Sequence, residues 1–236
     1  MLRVAVLTRR GSGRKINQDR VVVGDTVVDS AQPTTTMFTL GCPSVVAVLD
    51  GLGGHPAGDI AAALAAEVIA QGSSGLKTEQ HVISLVEDAN RLLYNMMLVH
   101  KGLREMGTTI AGVLVTTDTV VVFWVGDSRV YLYAGDDLAQ VTVDDWDEGF
   151  ITQTLGGYSW FQPIRVHTTN IPRQGGRILA ATDGLFGLAD RDTLAQAMSG
   201  PLETVPDRLL RVAIASGNTD DFSVAVIELA DPEGQE

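Results

Sequence analysis

Short apolar runs rich in β-branched residues dominate the chain, and glycine, aspartate or other polar residues separate them. This pattern is typical of β-strands, and several of the runs are apolar at nearly every position. Strands of that kind must be covered on both faces, so the chain needs a fold of several layers. The predicted strands are LRVAVL (2–7), RVVVG (20–24), SVVAVL (44–49), IAGVLVT (110–116), TVVVFWV (119–125), RVYLYA (129–134), RILAAT (177–182) and FSVAVIEL (222–229).

Four other segments have the apolar spacing of amphipathic helices. In the first of them Ile60, Leu64 and Val68 recur every four residues beside alanines, and in the second Glu87 and Arg91 pair across one turn on the polar face. The predicted helices are 57–71, 79–101, 190–199 and 203–215.

The order of these elements restricts the fold class. Strands and helices cluster along the chain instead of alternating, which favours an α+β fold with antiparallel sheet over a doubly wound one. The three runs between 110 and 134 lie so close together that they predict an antiparallel meander.

Composition excludes several classes of function. The net charge of −12 and the absence of a basic stripe predict no binding to nucleic acid. No run of about 18 apolar residues occurs, so we expect no insertion into a membrane. The single cysteine, Cys42, cannot form an internal disulfide, and we expect a reducing, cytoplasmic compartment.

Aspartates stand at the ends of several predicted strands. Asp50 and Asp183 each end a strand and precede a glycine, Asp127 lies in a turn, and Asp220 and Asp221 precede the last strand. Each one alone is consistent with an ordinary Asp-Gly type of turn. If the strand ends are neighbours, however, the carboxylates form a ring, and oxygen ligands of this kind select Mg²⁺ or Mn²⁺.

Six short motifs follow one another in an order that indicates a particular protein family. They are GRKINQDR, VLDGLGGHPAGDIAA, GTTIAGVLV, WVGDSRVYLY, LAATDGLFGL and DDFSVAVI, from about residue 11 to residue 228. This series resembles the motifs of the bacterial metal-dependent type-2C serine/threonine protein phosphatases. The resemblance implies an αββα sandwich, two antiparallel sheets flanked by helix pairs, forming a single domain over 1–236 with a variable flap near 144–173.

The same resemblance implies a set of metal ligands for two Mn²⁺ or Mg²⁺ ions. Asp50 would bridge both ions, the Gly51 carbonyl would bind one, and Asp183 and Asp220 would hold the other. Asp127 resembles the ligand of a third, weaker ion. A water shared by the two ions would lose its proton and attack phosphorus in line.

Three further residues match catalytic positions. Arg14 would bind the substrate phosphate, Asp19 would hydrogen-bond a metal-bound water, and His55 would protonate the leaving oxygen. Their alternatives are a solvated basic turn, a charge at a strand edge and a cap at a helix entry. The sequence also departs from the family pattern, with Gln18 where an acid is common and Asp221 where asparagine is usual, so either Asp220 or Asp221 could be the ligand.

The function implied is hydrolysis of phosphoserine and phosphothreonine in phosphorylated proteins, the products of a serine/threonine kinase. Two alternatives remain at this point. One is a regulatory binding module of the same fold with weakened catalysis, to which Gln18 points, and the other is a hydrolase of small phosphorylated molecules. The flap aromatics Trp146, Tyr158, Trp160 and Phe161 contact either a substrate protein or only the core.

Overall fold

The computed structural model describes residues 1–31, 34–52 and 57–229. Each of the eight predicted apolar runs forms a strand, and the predicted segments 190–199 and 203–215 become α4 and α5. The strands are β1 (Leu2–Arg9), β2 (Arg20–Val23), β3 (Thr26–Val28), β4 (Thr36–Leu40), β5 (Ser44–Leu49), β6 (Gly107–Thr108), β7 (Ile110–Val115), β8 (Thr119–Val125), β9 (Arg129–Ala134), β10 (Asp137–Gln140), β11 (Trp146–Asp147), β12 (Phe150–Ile151), β13 (Leu155–Gly156), β14 (His167–Pro172), β15 (Gly176–Ala181) and β16 (Phe222–Leu229). The α-helices are α1 (Gly58–Gly72), α2 (Glu79–Val99), α3 (Asp183–Phe186), α4 (Arg191–Met198) and α5 (Val205–Ala215).

The strands form two six-stranded antiparallel sheets. The first sheet has the order β10-β9-β15-β16-β1-β4, and the second has the order β14-β8-β7-β5-β2-β3. The predicted meander is therefore only half right. Strands β7 and β8 pair as a hairpin, but β9 pairs with β10 and β15 in the other sheet. Gly126, with φ of 103°, lies where the chain leaves one sheet for the other, and an apolar run carries no information about which sheet it joins.

The apolar side chains separate into three layers. Within β5, Val46 and Val48 pack between the two sheets, whereas Ala47 and Leu49 pack against α1 and α2. On the other side of the molecule, the first sheet packs against α4 and α5 through a third apolar cluster. This arrangement is the predicted αββα sandwich, and it explains the continuous apolar runs, because both faces of the central strands are buried.

The first helix buries a face centred on its alanines, with part of the predicted stripe at its margin. Its buried residues are mainly alanines, among them Ala62 and Ala66, together with Ile69 at 1% exposure. Ile60, which the sequence pattern placed on the core face, is 39% exposed. Leu64 and Val68 are partly buried and pack against the core as predicted, so the predicted stripe is wrong only at Ile60. The small alanines beside the stripe bring the helix backbone close to the sheet and form the centre of the buried face.

The second helix agrees with its pattern. Thr78 caps it by accepting a hydrogen bond from the His81 N–H at 3.3 Å. Arg91 forms the expected ion pair with Glu87, with the two charged groups 3.8 Å apart, on the face away from the core. No helix among the described residues is long and apolar enough to span a membrane.

The predicted flap, 144–173, contains both loops and framework. Its end forms β14 at the edge of the second sheet, and its middle is fastened to α2 by the Asn90 side chain. Asn90 accepts a hydrogen bond from the Gly156 N–H at 2.8 Å and donates one to the Gln162 carbonyl at 3.0 Å. Trp146 is 53% exposed and Trp160 is 64% exposed, so both side chains are available for contact with another molecule.

Candidate active site

The strand-end aspartates meet at one end of the sandwich. Asp50 follows β5 and Asp127 follows β8 in the second sheet, whereas Asp183 follows β15 in the first. Burial raises the pKa of Asp50 well above its ordinary value, and the negative charges of Asp19, Asp183, Asp127 and Asp220 raise it further. The carboxylate of Asp50 thus interacts electrostatically with acids from both sheets.

Two threonines hold the backbone of Asp50. The Asp50 N–H donates to Thr109 Oγ1 at 3.2 Å. Its carbonyl accepts from the Thr109 N–H at 2.9 Å and from Thr108 Oγ1 at 2.8 Å. These bonds fix the direction in which the Asp50 side chain leaves the end of β5.

Close backbone contacts explain the glycines beside the acids. A Cβ atom on Gly51 would lie 2.3 Å from the Gly58 carbonyl oxygen. A Cβ atom on Gly184 would lie 1.7 Å from the Asp221 carbonyl oxygen. Neither separation is possible for real atoms, so glycine at these positions lets the acid-bearing loops pack against each other.

The pKa values of the neighbouring acids are also raised. Burial raises the pKa of Asp183, and the charge of Asp220 adds to the increase. Burial, followed by the charge of Asp183, raises the pKa of Asp127 to about 6. Carboxylates that disfavour their own ionisation in this way bind a proton or a cation readily.

Asp19 is fully buried beneath this group. Its Oδ2 accepts a hydrogen bond from Thr182 Oγ1 at 2.9 Å, and burial raises its pKa to about 7. Within the described part of the chain, Asp19 Oδ1 and Asp183 Oδ1 are buried oxygens without a hydrogen-bond partner. Unsatisfied buried carboxylate oxygens require an explanation, and a bound ion or an ordered water provides one.

The structure distinguishes the two neighbouring acids before β16. Asp221 accepts hydrogen bonds from the Gly11 N–H at 2.8 Å and the Gln18 N–H at 2.9 Å, one on each oxygen. The Asp220 carboxylate instead pairs with Arg14 and accepts a hydrogen bond from the adjacent Asp221 N–H at 2.7 Å, and its side chain is 30% exposed. Asp220 is therefore the one with oxygens that face the cleft.

Arg14 grips Asp220 with two nitrogens. Its Nε donates to Asp220 Oδ1 at 2.5 Å, and its Nη2 donates to Asp220 Oδ2. The sequence predicted a phosphate ligand at Arg14 and a metal ligand at Asp220, but it did not predict that the two would pair. The fork geometry that holds the carboxylate is also the one that holds two phosphate oxygens.

All of the predicted site residues that the structure describes lie near one another. Asp50, Asp127, Asp183, Asp220, Asp19 and Arg14 belong to one electrostatically linked group. His55 lies outside the described residues. Among the described residues, no three His, Cys, Asp or Glu side chains are already arranged to hold a metal ion.

Sequence reasoning missed the polar residues that support the acids. Thr108, Thr109 and Thr182 each hydrogen-bond a predicted site residue, and Asp145 accepts from the Gly126 N–H at 2.9 Å beside Asp127. The available signal was position, because the threonines lie at the ends of buried strands inside the motifs GTTIAGVLV and LAATDGLFGL. Asp145 had no comparable signal, since its partners are distant in sequence.

The protein phosphatase 2C family model matches residues 24–211. Among relatives, the serine/threonine protein phosphatase PstP of Mycobacterium tuberculosis is 27% identical over 255 residues, which cover 98% of this chain and 46% of PstP. The protein phosphatase PhpP of Streptococcus pneumoniae is 24% identical, with 99% of this chain and 100% of PhpP covered. The chain thus spans about half the length of PstP and the full length of PhpP.

A solved structure has the same fold. The catalytic domain of PstP in complex with two manganese ions superposes with a TM-score of 0.80 at 25% identity, covering 98% of this chain and 100% of that one. The chain belongs to the protein phosphatase 2C family.

Proposed function

We propose that this protein is a metal-dependent protein phosphatase that hydrolyses phosphoserine and phosphothreonine in proteins. The observation that carries the proposal is the group of mutually repelling acids drawn from both sheets, with Arg14 at its edge. Its relatives PstP and PhpP are named as phosphatases, which supports the same activity here. We further propose that residues 1–236 act as one phosphatase domain with 144–173 as its flap.

The residues present fit two divalent cations. The donors are all oxygens, the pKa values of Asp50, Asp127 and Asp183 are raised by burial and mutual repulsion, and Asp183 Oδ1 is buried without a partner. Asp50 and the Gly51 carbonyl would hold one ion, with Asp50, Asp183 and Asp220 around the other and Asp127 serving a third. Mn²⁺ and Mg²⁺ both suit such ligands, and the PstP structure with two manganese ions is a precedent.

When bound, the ions would supply positive charge that activates water and neutralises the phosphoryl group. Arg14 must leave Asp220 before Asp220 can ligate, and its released guanidinium is then free to bind two phosphate oxygens. Asp19, with one oxygen held by Thr182, orients a water molecule through its other oxygen. We assign the protonation of the serine or threonine leaving oxygen to His55.

The test measures hydrolysis of p-nitrophenyl phosphate and of a phosphothreonine peptide, with Mn²⁺ or with EDTA. We expect Mn²⁺-dependent turnover that falls more than about 100-fold in Asp183→Asn, because the site loses a ligand charge. Asp192→Asn is the matched control, since Asp192 is an exposed aspartate in α4. Equal rates for Asp183→Asn and the parent protein would refute the proposal.

The same assay separates the alternatives. A regulatory module would bind the phosphopeptide without hydrolysing either substrate in Mn²⁺. A hydrolase of small molecules would cleave p-nitrophenyl phosphate but not the peptide. Gln18 does not favour either alternative, because its contribution to the site is made by its backbone. Its N–H donates to Asp221, and its carbonyl accepts from the Gly51 N–H at 3.2 Å.

A further inference from the structure

A cavity of about 510 Å³ opens beside the candidate active site. Gly184 and Asp220 line its inner end, so it continues directly from the cleft. Leu210 and Ile214 of α5, together with Phe222 of β16, form an apolar wall. The proposed catalytic residues use only Asp220 of this lining, and the rest has no assigned role.

Arg9 lies at the rim of this cavity, and its direction follows from strand geometry. Ala5 and Leu7 of β1 belong to the apolar cluster beneath α5, and side chains two residues apart leave a strand on the same face. Arg9 therefore continues that row toward α5. It also stands directly opposite Phe222 in the antiparallel pairing of β1 with β16.

The charge of Arg9 is available to a ligand. Within the described part of the chain Arg9 is exposed and makes no hydrogen bond or ion pair, whereas its neighbour Arg10 donates to the Arg14 carbonyl. The inner acid of the cavity, Asp220, is held by Arg14. The outer rim is thus positive in a protein whose net charge is −12.

A positive rim next to an apolar wall selects a ligand with the complementary pattern. An acidic group on that ligand would contact the Arg9 guanidinium. An apolar side chain would cover mainly Ile214, which is 58% exposed beside the largely buried Leu210 and Phe222. Because the cavity begins at the candidate phosphate site, the ligand that reaches it most directly is the chain next to the phosphorylated residue.

We infer that this cavity binds the polypeptide flanking the phosphorylated residue and selects targets with an acidic residue beside an apolar one. The inference rests on the proposed function. It makes Arg9 a specificity-determining residue that contacts the substrate away from the reacting phosphorus.

The test uses three labelled phosphothreonine peptides. In each of them one residue next to the phosphothreonine is leucine, and the residue beside that leucine is glutamate, glutamine or lysine. The phosphothreonine is replaced by its non-hydrolysable methylene phosphonate, so that dissociation constants can be measured by fluorescence anisotropy with the full chain in Mn²⁺ without turnover. We expect the glutamate peptide to bind about fivefold more tightly than the lysine peptide, as one exposed ion pair allows.

Variants assign that preference to Arg9. Arg9→Gln should remove the difference, and Arg9→Glu should reverse it in favour of the lysine peptide. Lys77→Glu is the matched control, because Lys77 is an exposed cation in the α1–α2 connection, far from this cavity in the fold. Replacing leucine by serine in the glutamate peptide should weaken binding to the parent protein, because it uncovers the apolar wall.

Equal affinities of the parent protein for the three peptides would overturn the inference. So would a loss of preference in Lys77→Glu as large as that in Arg9→Glu, since the effect would then be one of net charge. Hydrolysis of p-nitrophenyl phosphate by the parent protein in Mn²⁺, measured in parallel, tests the proposed function separately. A charge preference that depends on Arg9 supports the cavity assignment whether or not that hydrolysis occurs.

Discussion

Two adjacent aspartates of the same charge have different partners and therefore different roles. Asp221 is 4% exposed and joins the N-terminal loop to the start of β16 through two backbone N–H groups. Asp220 is partly exposed at the cleft, where its carboxylate pairs with the Arg14 side chain and accepts a hydrogen bond from the neighbouring Asp221 N–H. The sequence left the choice of ligand between them open, and the hydrogen-bond partners favour Asp220.

Substitution by asparagine should separate the two roles. Asp221→Asn leaves one buried backbone N–H without a charged acceptor, and we expect a loss of about 1–3 kcal/mol in the free energy of unfolding. Asp220→Asn should change stability by less than about 1 kcal/mol, because its ion pair is partly exposed, yet abolish phosphatase turnover. Urea unfolding and p-nitrophenyl phosphate hydrolysis measure the two effects, and the opposite pattern would contradict this assignment.

The buried acids also predict how stability depends on pH without metal. Burial raises the pKa of Asp19 to about 7 and that of Asp127 to about 6, so the folded chain holds these protons more tightly than the unfolded chain does. Their stabilising contribution is complete below the unfolded pKa of about 4 and is lost as the pH rises through the folded values.

In EDTA the free energy of unfolding should therefore fall as the pH rises from about 4 to about 8, by at most about 1.4 kcal/mol per pH unit for each proton involved. Urea titrations at successive pH values give the slope. Asp19→Asn should flatten the upper part of the curve, whereas Asp192→Asn, at an exposed position, should leave it unchanged. A free energy of unfolding that rises between about pH 4 and about pH 8 would contradict this prediction.

At the scale of elements, α1 shows how packing overrides a sequence pattern. The pattern through Ile60, Leu64 and Val68 predicted the helix nearly within its bounds, but the centre of the buried face lies on the neighbouring alanines, and Ile60 is exposed. The sheet beneath the helix accepts alanines at Ala62 and Ala66, and that shape is not visible in the periodicity of one segment. The helix was thus predictable, and its orientation was not.

Two identical substitutions in α1 test this orientation. Ile69→Ala removes a side chain that is 1% exposed and should cost about 2–5 kcal/mol of stability by opening a cavity. Ile60→Ala changes a residue that is 39% exposed and should cost less than about 1 kcal/mol. Thermal or urea unfolding compares them directly, and equal losses would mean that Ile60 is buried as deeply as Ile69.

At the scale of the whole molecule, the candidate site spans the two sheets. Asp50 and Asp127 extend from the second sheet, whereas Asp183 and Asp220 extend from the first. The acids repel one another across this junction. Ions bound between them would replace repulsion by attraction and would join the two sheets at the open end of the sandwich.

Mn²⁺ should consequently raise the melting temperature relative to EDTA. At about 100 times the dissociation constant, ligand binding to the folded state alone contributes about 2.7 kcal/mol. Asp183→Asn should lose most of this increase, and Asp192→Asn should keep it. Differential scanning calorimetry provides the measurement, and identical melting curves with Mn²⁺ and with EDTA would exclude a site for these ions.

The sequence by itself determined the kind and approximate place of the apolar strands and the longer helices, the layered α+β fold and the identity of the acids at the strand ends. These features depend on local periodicity and on short motifs, both of which are written in consecutive residues. Only the tertiary structure decided that β9 joins the other sheet, that α1 buries its alanines, that Arg14 pairs with Asp220 and that Thr182 supports Asp19. Each of these depends on contacts between residues far apart in the chain, where the space and charge available are set by the packing of every layer together.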